Sequence, residues 1–258
     1  MRALLLLLLL LAAPAQAQTS RNPQRNPGLI SELSQARIDI NTTFRGVELL
    51  VFGAIQYPGG RVPDTAPDVA IVVRGPAEPV TVRKKGRVAG IWVNTDAVRF
   101  ESVPGFYAVA TTRPIADLAD DRVMAIYELG VGSLQLSPAS GESEAERAEF
   151  EAGLIAVKRR AGLFAEDPSG VQVTGQVLYQ ARLQLPSAVP VGEYSAEIFL
   201  IEEGRVVASA TMPIEIDKSG FERWIYLMAQ ENSLLYGLAA VFAALASGGI
   251  ASLVTRRR

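Results

Sequence analysis

The sequence contains neither cysteine nor histidine. Without cysteine, the chain can form no disulfide, thiolate nucleophile, zinc–thiolate site or lipoprotein anchor. Without histidine, it lacks the commonest general base and the commonest transition-metal ligand. A formal net charge of −2 also gives no strongly basic surface of the kind that nucleic acid binding requires. These absences exclude much of enzyme chemistry and argue against a nucleic acid partner.

The N-terminus has the three parts of a secretory signal peptide. Arg2 supplies a positive charge, residues 3–13 form an unbroken apolar run, and residues 15–17 (Ala-Gln-Ala) form a small-x-small cleavage site. The alternative is an uncleaved anchor, but this run is shorter than the roughly 20 residues that cross a bilayer. We therefore predict that residues 1–17 are removed and that a polar segment, residues 18–28, begins the mature chain.

The C-terminus has the pattern of a single transmembrane helix. Residues 233–254 carry no charge, and three arginines lie within the tail, residues 255–258. A helix of that length rises roughly 33 Å, which is enough to cross the hydrocarbon core. Because arginine favours the cytoplasmic side of a membrane, we predict a cytoplasmic tail and a domain outside the cytoplasm.

Two further patterns accompany the predicted span. Residues 219–232 form an amphipathic juxtamembrane segment with apolar and aromatic residues at helical spacing: Phe221, Trp224, Ile225 and Met228. Within the span, small residues at every fourth position could let another helix approach closely. They are Ala240, Ala244, Gly248 and Ser252, beside a second ridge of Ala239, Ala243, Ser247 and Ala251. Because the chain is rich in alanine, helix packing and a plain anchor both stay open.

Residues 29–218 are predicted to form one mainly β domain, an immunoglobulin-like antiparallel sandwich with a helical insertion at about 114–165. Short runs rich in Val, Ile, Phe and Tyr alternate with turn residues, which is typical of sandwich strands. Three trailing strands cannot readily bury both faces alone, so they should complete the same sandwich. Tyr194 lies where such sandwiches carry a corner tyrosine. The predicted strands are residues 37–40, 47–55, 69–74, 80–84, 90–93, 98–102, 107–111, 171–185, 192–201 and 205–216, the last two joined by a tight turn at Glu203-Gly204.

The helical insertion should contain short helical pieces over residues 115–129 and one strong helix that opens at Glu142 and ends at Gly162. Its apolar face is predicted to comprise Phe150, Leu154, Val157 and Ala161. Glutamates crowd the start of this helix and basic residues crowd its end, as the helix dipole favours. A cation site is the alternative explanation for the glutamates, and the dipole makes it unnecessary.

The densest positive cluster of the domain comprises Arg83, Lys84, Lys85 and Arg87. We predict that it lies at a hairpin turn and that Trp92, in the next strand, packs in the core or against a sheet. Basic groups that converge suit oxyanions, sulfonates, phospholipid headgroups or an acidic partner. The alternative is a solvated turn whose charges discourage edge-to-edge strand pairing. Both interpretations stay open.

No catalytic constellation is visible in the sequence. Gly130-Val131-Gly132 lacks the spacing and the strand–turn–helix context of a phosphate loop. A serine–lysine dyad needs no histidine, but no serine has a recognisable nucleophile context. We therefore predict a protein that is not an enzyme and needs no metal or cofactor.

Two motifs carry a family resemblance. Residues 44–46 (Phe-Arg-Gly) and 48–53 (Glu-Leu-Leu-Val-Phe-Gly) form the first, and residues 83–85 leading to 90–94 (Gly-Ile-Trp-Val-Asn) form the second. With the helix around Phe150, they resemble an uncharacterised family of transmembrane proteins of alphaproteobacteria. The resemblance implies a signal peptide, a periplasmic domain and one C-terminal span in the inner membrane. It also implies a link to exporters of the TauE/SafE sulfite-transporter type. No catalytic residues are established for the family, so the resemblance carries none over to this chain.

Together, these features predict a non-enzymatic, single-pass accessory protein of the inner membrane. Its periplasmic module would dock on a multispanning transporter or bind the transporter's anionic substrate, sulfite or a sulfonate. The alternative is a structural or envelope-sensing module without a small-molecule ligand, which recognises a protein by its sheet edge.

Overall fold

A computed structural model describes residues 27–41, 43–138, 143–218 and 221–255, and this part of the chain is mainly β, as predicted. The strands are β1 (Gly28–Leu33), β2 (Arg37–Ile40), β3 (Val47–Gln56), β4 (Asp68–Arg74), β5 (Ala77–Val88), β6 (Ile91–Pro104), β7 (Tyr107–Thr111), β8 (Ser137–Pro138), β9 (Phe164–Asp167), β10 (Val171–Thr174), β11 (Leu178–Leu185), β12 (Gly192–Glu202) and β13 (Arg205–Lys218). The helices are α1 (Ile115–Leu118), α2 (Asp121–Tyr127), α3 (Glu144–Arg160), α4 (Phe221–Glu231) and α5 (Ser233–Thr255).

Two sheets pack face to face around the main core. The first has the strand order β1-β3-β11-β10, and the second has the order β2-β13-β12-β4-β7-β9. Strand β11 pairs with β3 and β12 pairs with β4, both antiparallel. The strands that follow residue 171 therefore complete sheets that the first strands begin.

The core between these sheets follows from alternation along each strand. Every second residue of β11 is buried, as expected for a strand with one face on the core and one in water. Leu49 and Leu183 of the first sheet pack in one cluster with Ile71 and Ile198 of the second. Burial of these side chains, at about 1.5–3 kcal/mol each, holds the two sheets together.

The second sheet is buried on its other face as well, which gives the domain a third layer. Strand β4 is buried without interruption from Val69 to Val73, because successive side chains face two different cores. Val72 and Phe199 pack with Phe100 of β6 and with Leu154 of α3. The third layer consists of the insertion helices and a three-stranded sheet of order β5-β6-β8.

Tyr107 ties the helical insertion to the second sheet. Its hydroxyl donates to the carbonyl of Glu128 at 2.6 Å and accepts from the backbone N–H of Gly130 at 2.8 Å. Arg74 of β4 forms an ion pair with the Glu128 carboxylate. Burial raises the pKa of the Tyr107 phenol well above its usual range, so the hydroxyl remains a donor at neutral pH.

Helix α3 ends before Gly162, as the sequence predicts, and its first turn carries a capping box. Ser143 and Glu146 form a capping box, in which the Glu146 backbone N–H donates to the Ser143 hydroxyl at 3.3 Å. The Glu146 carboxylate in turn accepts from the Ser143 hydroxyl and from the Ser143 backbone N–H, and these two bonds lower the pKa of that carboxyl. Gly162 follows the last turn with a φ of +70°, a conformation that glycine adopts without strain.

The predicted apolar face of α3 is partly wrong. Phe150 and Leu154 are buried, but Val157 is 59% exposed and Ala161 is also exposed. The helix contacts the domain along an i, i+4, i+8 ridge, which brings Lys158 to the buried side instead. Only 8% of Lys158 is exposed, and its ammonium contacts the Glu78 carboxylate at 2.9 Å.

The observed strands differ from the predicted ones at two places, and one predicted turn is confirmed. Residues 80–84, 91–93 and 98–102 belong to two long strands, β5 and β6, rather than to three short ones, and Gly90 lies in the turn between them. The predicted strand at 171–185 is interrupted, because Gly175 and Gln176 have positive φ angles and turn the chain between β10 and β11. The tight turn at Glu203-Gly204 is confirmed, with positive φ at both residues.

The C-terminal helices α4 and α5 follow β13. Side chains of α5 are described as far as Gly249, and within the described residues no helix is long and apolar enough to cross a membrane. The predicted signal peptide, the polar segment before Pro27, the start of the insertion helix at Glu142 and the arginine tail lie outside the described residues.

Candidate docking surfaces

Strands β5 and β6 form a long antiparallel hairpin whose two ends have different surroundings. At its base, Val98, Phe100 and Val103 are buried against the body of the domain. From residue 83 to residue 97, every side chain is exposed or half-buried. We call residues 83–97 the arm.

The end of the arm carries large apolar side chains in water. The chain turns at Ala89 and Gly90, which both have positive φ angles. Ile91 and Trp92 on one side of the turn are each 67% exposed, and Val88 and Val93 are exposed too. The prediction that Trp92 packs in the core or on a sheet is therefore wrong, because the strand that carries it extends beyond the body. We call residues 85–94 the tip.

The predicted basic cluster lies on strand β5 rather than in the turn. Arg83, Lys84, Lys85 and Arg87 occupy the outer half of this strand, with a register shift between Lys84 and Lys85. Strand β5 is also the edge of its sheet. Charges and irregular register on an edge strand are known protections against edge pairing, so the protective interpretation agrees with the placement of this cluster.

Lys84 is already engaged by the domain. Its ammonium lies 2.6 Å from the Glu149 carboxylate of α3, and this bond raises the pKa of Lys84. Successive residues of a strand point to opposite faces, so Arg83 and Lys84 do not face the same ligand. Arg87 donates from Nε to the carbonyl of Gly90 at 3.3 Å, within the turn. The structure does not gather the four cations around one point, and the anion site stays a prediction.

Helix α5 carries the predicted small-residue ridge. Ala240, Ala244 and Gly248 are exposed, and the side chain of Ser252 is outside the described part of the helix. At about 100° per residue, most bulky residues between 233 and 249 fall on one half of the helix: Leu234, Leu235, Leu238, Val241, Phe242 and Leu245. Small residues occupy most of the other half, namely Ala239, Ala240, Ala243, Ala244 and Ser247, with Tyr236 among them and Gly248 at the border. The two halves of the helix therefore present different contours.

A cleft that no sequence motif indicated lies at one end of the sandwich, with a volume of about 650 Å³. Two residues that line it, Arg113 and Asp68, form a bidentate ion pair. Arg113 Nε donates to Asp68 Oδ1 at 2.8 Å, and Arg113 Nη2 donates to Asp68 Oδ2 at 2.6 Å. Tyr57 donates to the carbonyl of Gln176, and burial, together with the charge of Glu202, raises its pKa. The residues that line the cleft come from separate loops and strands, so no local spacing in the sequence could reveal it. Among the described residues, no group of acidic side chains is placed to hold a metal ion.

Comparison with known proteins places the chain in the class of transmembrane proteins. It belongs to the family described as "Putative transmembrane protein (Alph_Pro_TM)", whose sequence model matches residues 28–257. This match confirms the family resemblance drawn from the two motifs and supports membrane association. No curated protein and no solved structure shows a significant match to the chain.

Proposed function

We propose that this chain is a non-enzymatic accessory protein of the bacterial inner membrane that docks on a multispanning transporter. Helix α5 would form the single span, with the β domain in the periplasm and the C-terminus in the cytoplasm. The signal peptide and the terminal arginines support this topology. Membership of a transmembrane family supports the membrane location.

The periplasmic module in this proposal is an immunoglobulin-like sandwich over residues 29–218. Its two facing sheets agree with such a fold. The Tyr194 hydroxyl donates to the carbonyl of Pro190 at 2.6 Å, four residues upstream, as a corner tyrosine does. The parallel pairs β2–β13 and β7–β9 and the third layer are additions to this plan.

The observation that carries the proposal is the division of residues 233–249 of α5 into a bulky half and a small half. An anchor needs only length and hydrophobicity, so its bulky residues can be distributed all round. A helix that packs on another in lipid needs a small face, because close approach of the backbones provides the van der Waals contacts. The small half of α5 fits a helix of a polytopic partner. The family resemblance implies that this partner is a TauE/SafE-type exporter of sulfite or sulfonate.

The test is co-purification from membranes with variants of the two halves. Ala240→Leu with Ala244→Leu fills the small face and should remove the multispanning partner while the chain stays in the membrane. The control, Val241→Leu with Leu245→Ile, alters two bulky residues on the other half with little change in volume and should keep the partner. If both variants retain the same partners as the original chain, α5 is only a tether and the proposal fails.

A second candidate function is supported by the edge position of β5. An exposed edge strand can pair with a strand of another protein, which would make the chain a structural or envelope-sensing module. The charges and the register shift on β5 oppose such pairing. Recovery of a soluble or envelope protein, with no polytopic partner, would favour this second function.

A further inference from the structure

The tip of the arm combines exposed apolar side chains with positive charge and has no acidic residue. We propose that it binds the anionic phospholipid surface of the membrane, with Ile91 and Trp92 in the interface and Lys85 and Arg87 against the headgroups. The inference uses the membrane location of the family. It requires neither the accessory role nor a transporter.

The two faces of the tip differ in a way that suits an anionic membrane surface. In the ladder, Val88 lies opposite Ile91, Gly86 lies opposite Val93, and Arg87 lies opposite Trp92. Neighbouring pairs of an antiparallel ladder project to opposite faces. One face therefore carries Val88, Ile91 and Val93, and the other carries Lys85, Arg87 and Trp92. An apolar face combined with basic side chains and a tryptophan is the amphipathic pattern that lies in the interface of an anionic membrane.

The charges are complementary to anionic headgroups. Residues 85–94 contain Lys85 and Arg87 and no aspartate or glutamate. The nearest acid along the arm, Asp96, lies opposite Lys84, which Glu149 also engages. A basic residue at an anionic membrane surface strengthens binding about fivefold. Tryptophan adds to this, because its amphipathic ring favours the headgroup level.

The arm is long enough to reach lipid without bringing the body of the domain with it. Arg83 to Val88 spans six residues of β5, about 20 Å at 3.3 Å per residue. The interfacial zone of one leaflet is only about 5–8 Å thick. The apolar tip can therefore enter this zone while Arg83 and the rest of the domain remain in water.

The test places an environment-sensitive fluorophore at the tip of the full-length chain, reconstituted into vesicles. Because the sequence has no cysteine, Ile91→Cys gives a unique labelling site. Leu178→Cys, on an exposed side chain of the first sheet, gives the matched control. The vesicles contain phosphatidylcholine alone, or phosphatidylcholine with about one third phosphatidylglycerol. Circular dichroism shows whether each variant keeps the β-rich fold.

In the anionic vesicles, we expect the emission of the fluorophore at residue 91 to shift to shorter wavelength and to be quenched by brominated lipid. The emission of the fluorophore at residue 178 should remain that of a label in water. Lys85→Gln with Arg87→Gln should lower the ratio of inserted to free tip about 25-fold, and raising the salt from about 0.05 to about 0.5 M should weaken insertion in the original chain.

Three results would overturn the proposal. The label at residue 91 could remain in water in both kinds of vesicle, or it could respond equally in both. It could also become shielded only when a membrane protein partner is added, which would assign the tip to protein. None of these results bears on co-purification through α5, so the two proposals fail separately.

Discussion

Leu154→Ala tests how strongly the helical insertion stabilises the domain. Leu154 is only 3% exposed and lies in the second core with Phe150 and Phe199. Removing a buried leucine side chain costs the transfer free energy of its methyl and methylene groups plus the cavity that remains. At this depth of burial, we expect a loss of about 3 kcal/mol in the free energy of unfolding, within the usual range for Leu→Ala. For a domain of about 200 residues, this corresponds to a drop in Tm of about 6–12 °C.

The matched control is Val157→Ala on the same helix. Val157 is mainly exposed, so its truncation should change the free energy of unfolding by no more than about 0.5 kcal/mol. Urea unfolding of the full-length chain, followed by circular dichroism of the β signal, measures both variants. Equal losses for the two substitutions would refute the assignment of the i, i+4, i+8 ridge as the buried side of α3. Leu154→Asp should be more damaging still, because it buries an unpaired charge.

Three further outcomes follow from buried polar groups. The free energy of unfolding should fall as the pH rises above about 10, because burial raises the pKa of Tyr107 in the folded state above its unfolded value. Tyr107→Phe should make this dependence on pH weaker, and it should lower the free energy of unfolding at neutral pH by about 1–3 kcal/mol. Lys158→Met should be tolerated, since Glu78 is half exposed, whereas Glu78→Ala strands a buried cation and should lower the Tm. Tyr194→Phe removes the bond to Pro190 and should cost about 1 kcal/mol in urea unfolding.

The sequence predicts the local elements of this fold well where one periodicity dominates. Strand β2 and strand β7 have the predicted limits, and α3 ends before Gly162, as predicted. Val157 was misassigned because periodicity identifies the apolar residues of a helix but not the line along which the helix meets its neighbours. Lys158 shows the same limit, since its long stem is buried while its ammonium is paired.

The candidate docking surfaces could be predicted only in part. The residue types of the basic cluster are visible in the sequence, but their position on an edge strand depends on the turn at Ala89 and Gly90. Trp92 was expected inside because exposed tryptophan is uncommon. The exposure of Trp92 follows from the length of β5 and β6, whose outer residues do not pack against the rest of the domain. The cleft beside Asp68 depends on long-range contacts, for which no local pattern exists.

In the proposed topology, the β domain would lie outside the cytoplasm and the chain would cross the inner membrane once. Two single-cysteine variants test it directly: Ser137→Cys, at an exposed position of β8, and a cysteine appended after Arg258. A membrane-impermeant maleimide is added to cells whose outer membrane alone has been opened. We predict labelling at residue 137 in these cells, and labelling of the appended cysteine only after the inner membrane is broken. Labelling at residue 137 only after the inner membrane is broken would show that the β domain lies in the cytoplasm and would refute this topology.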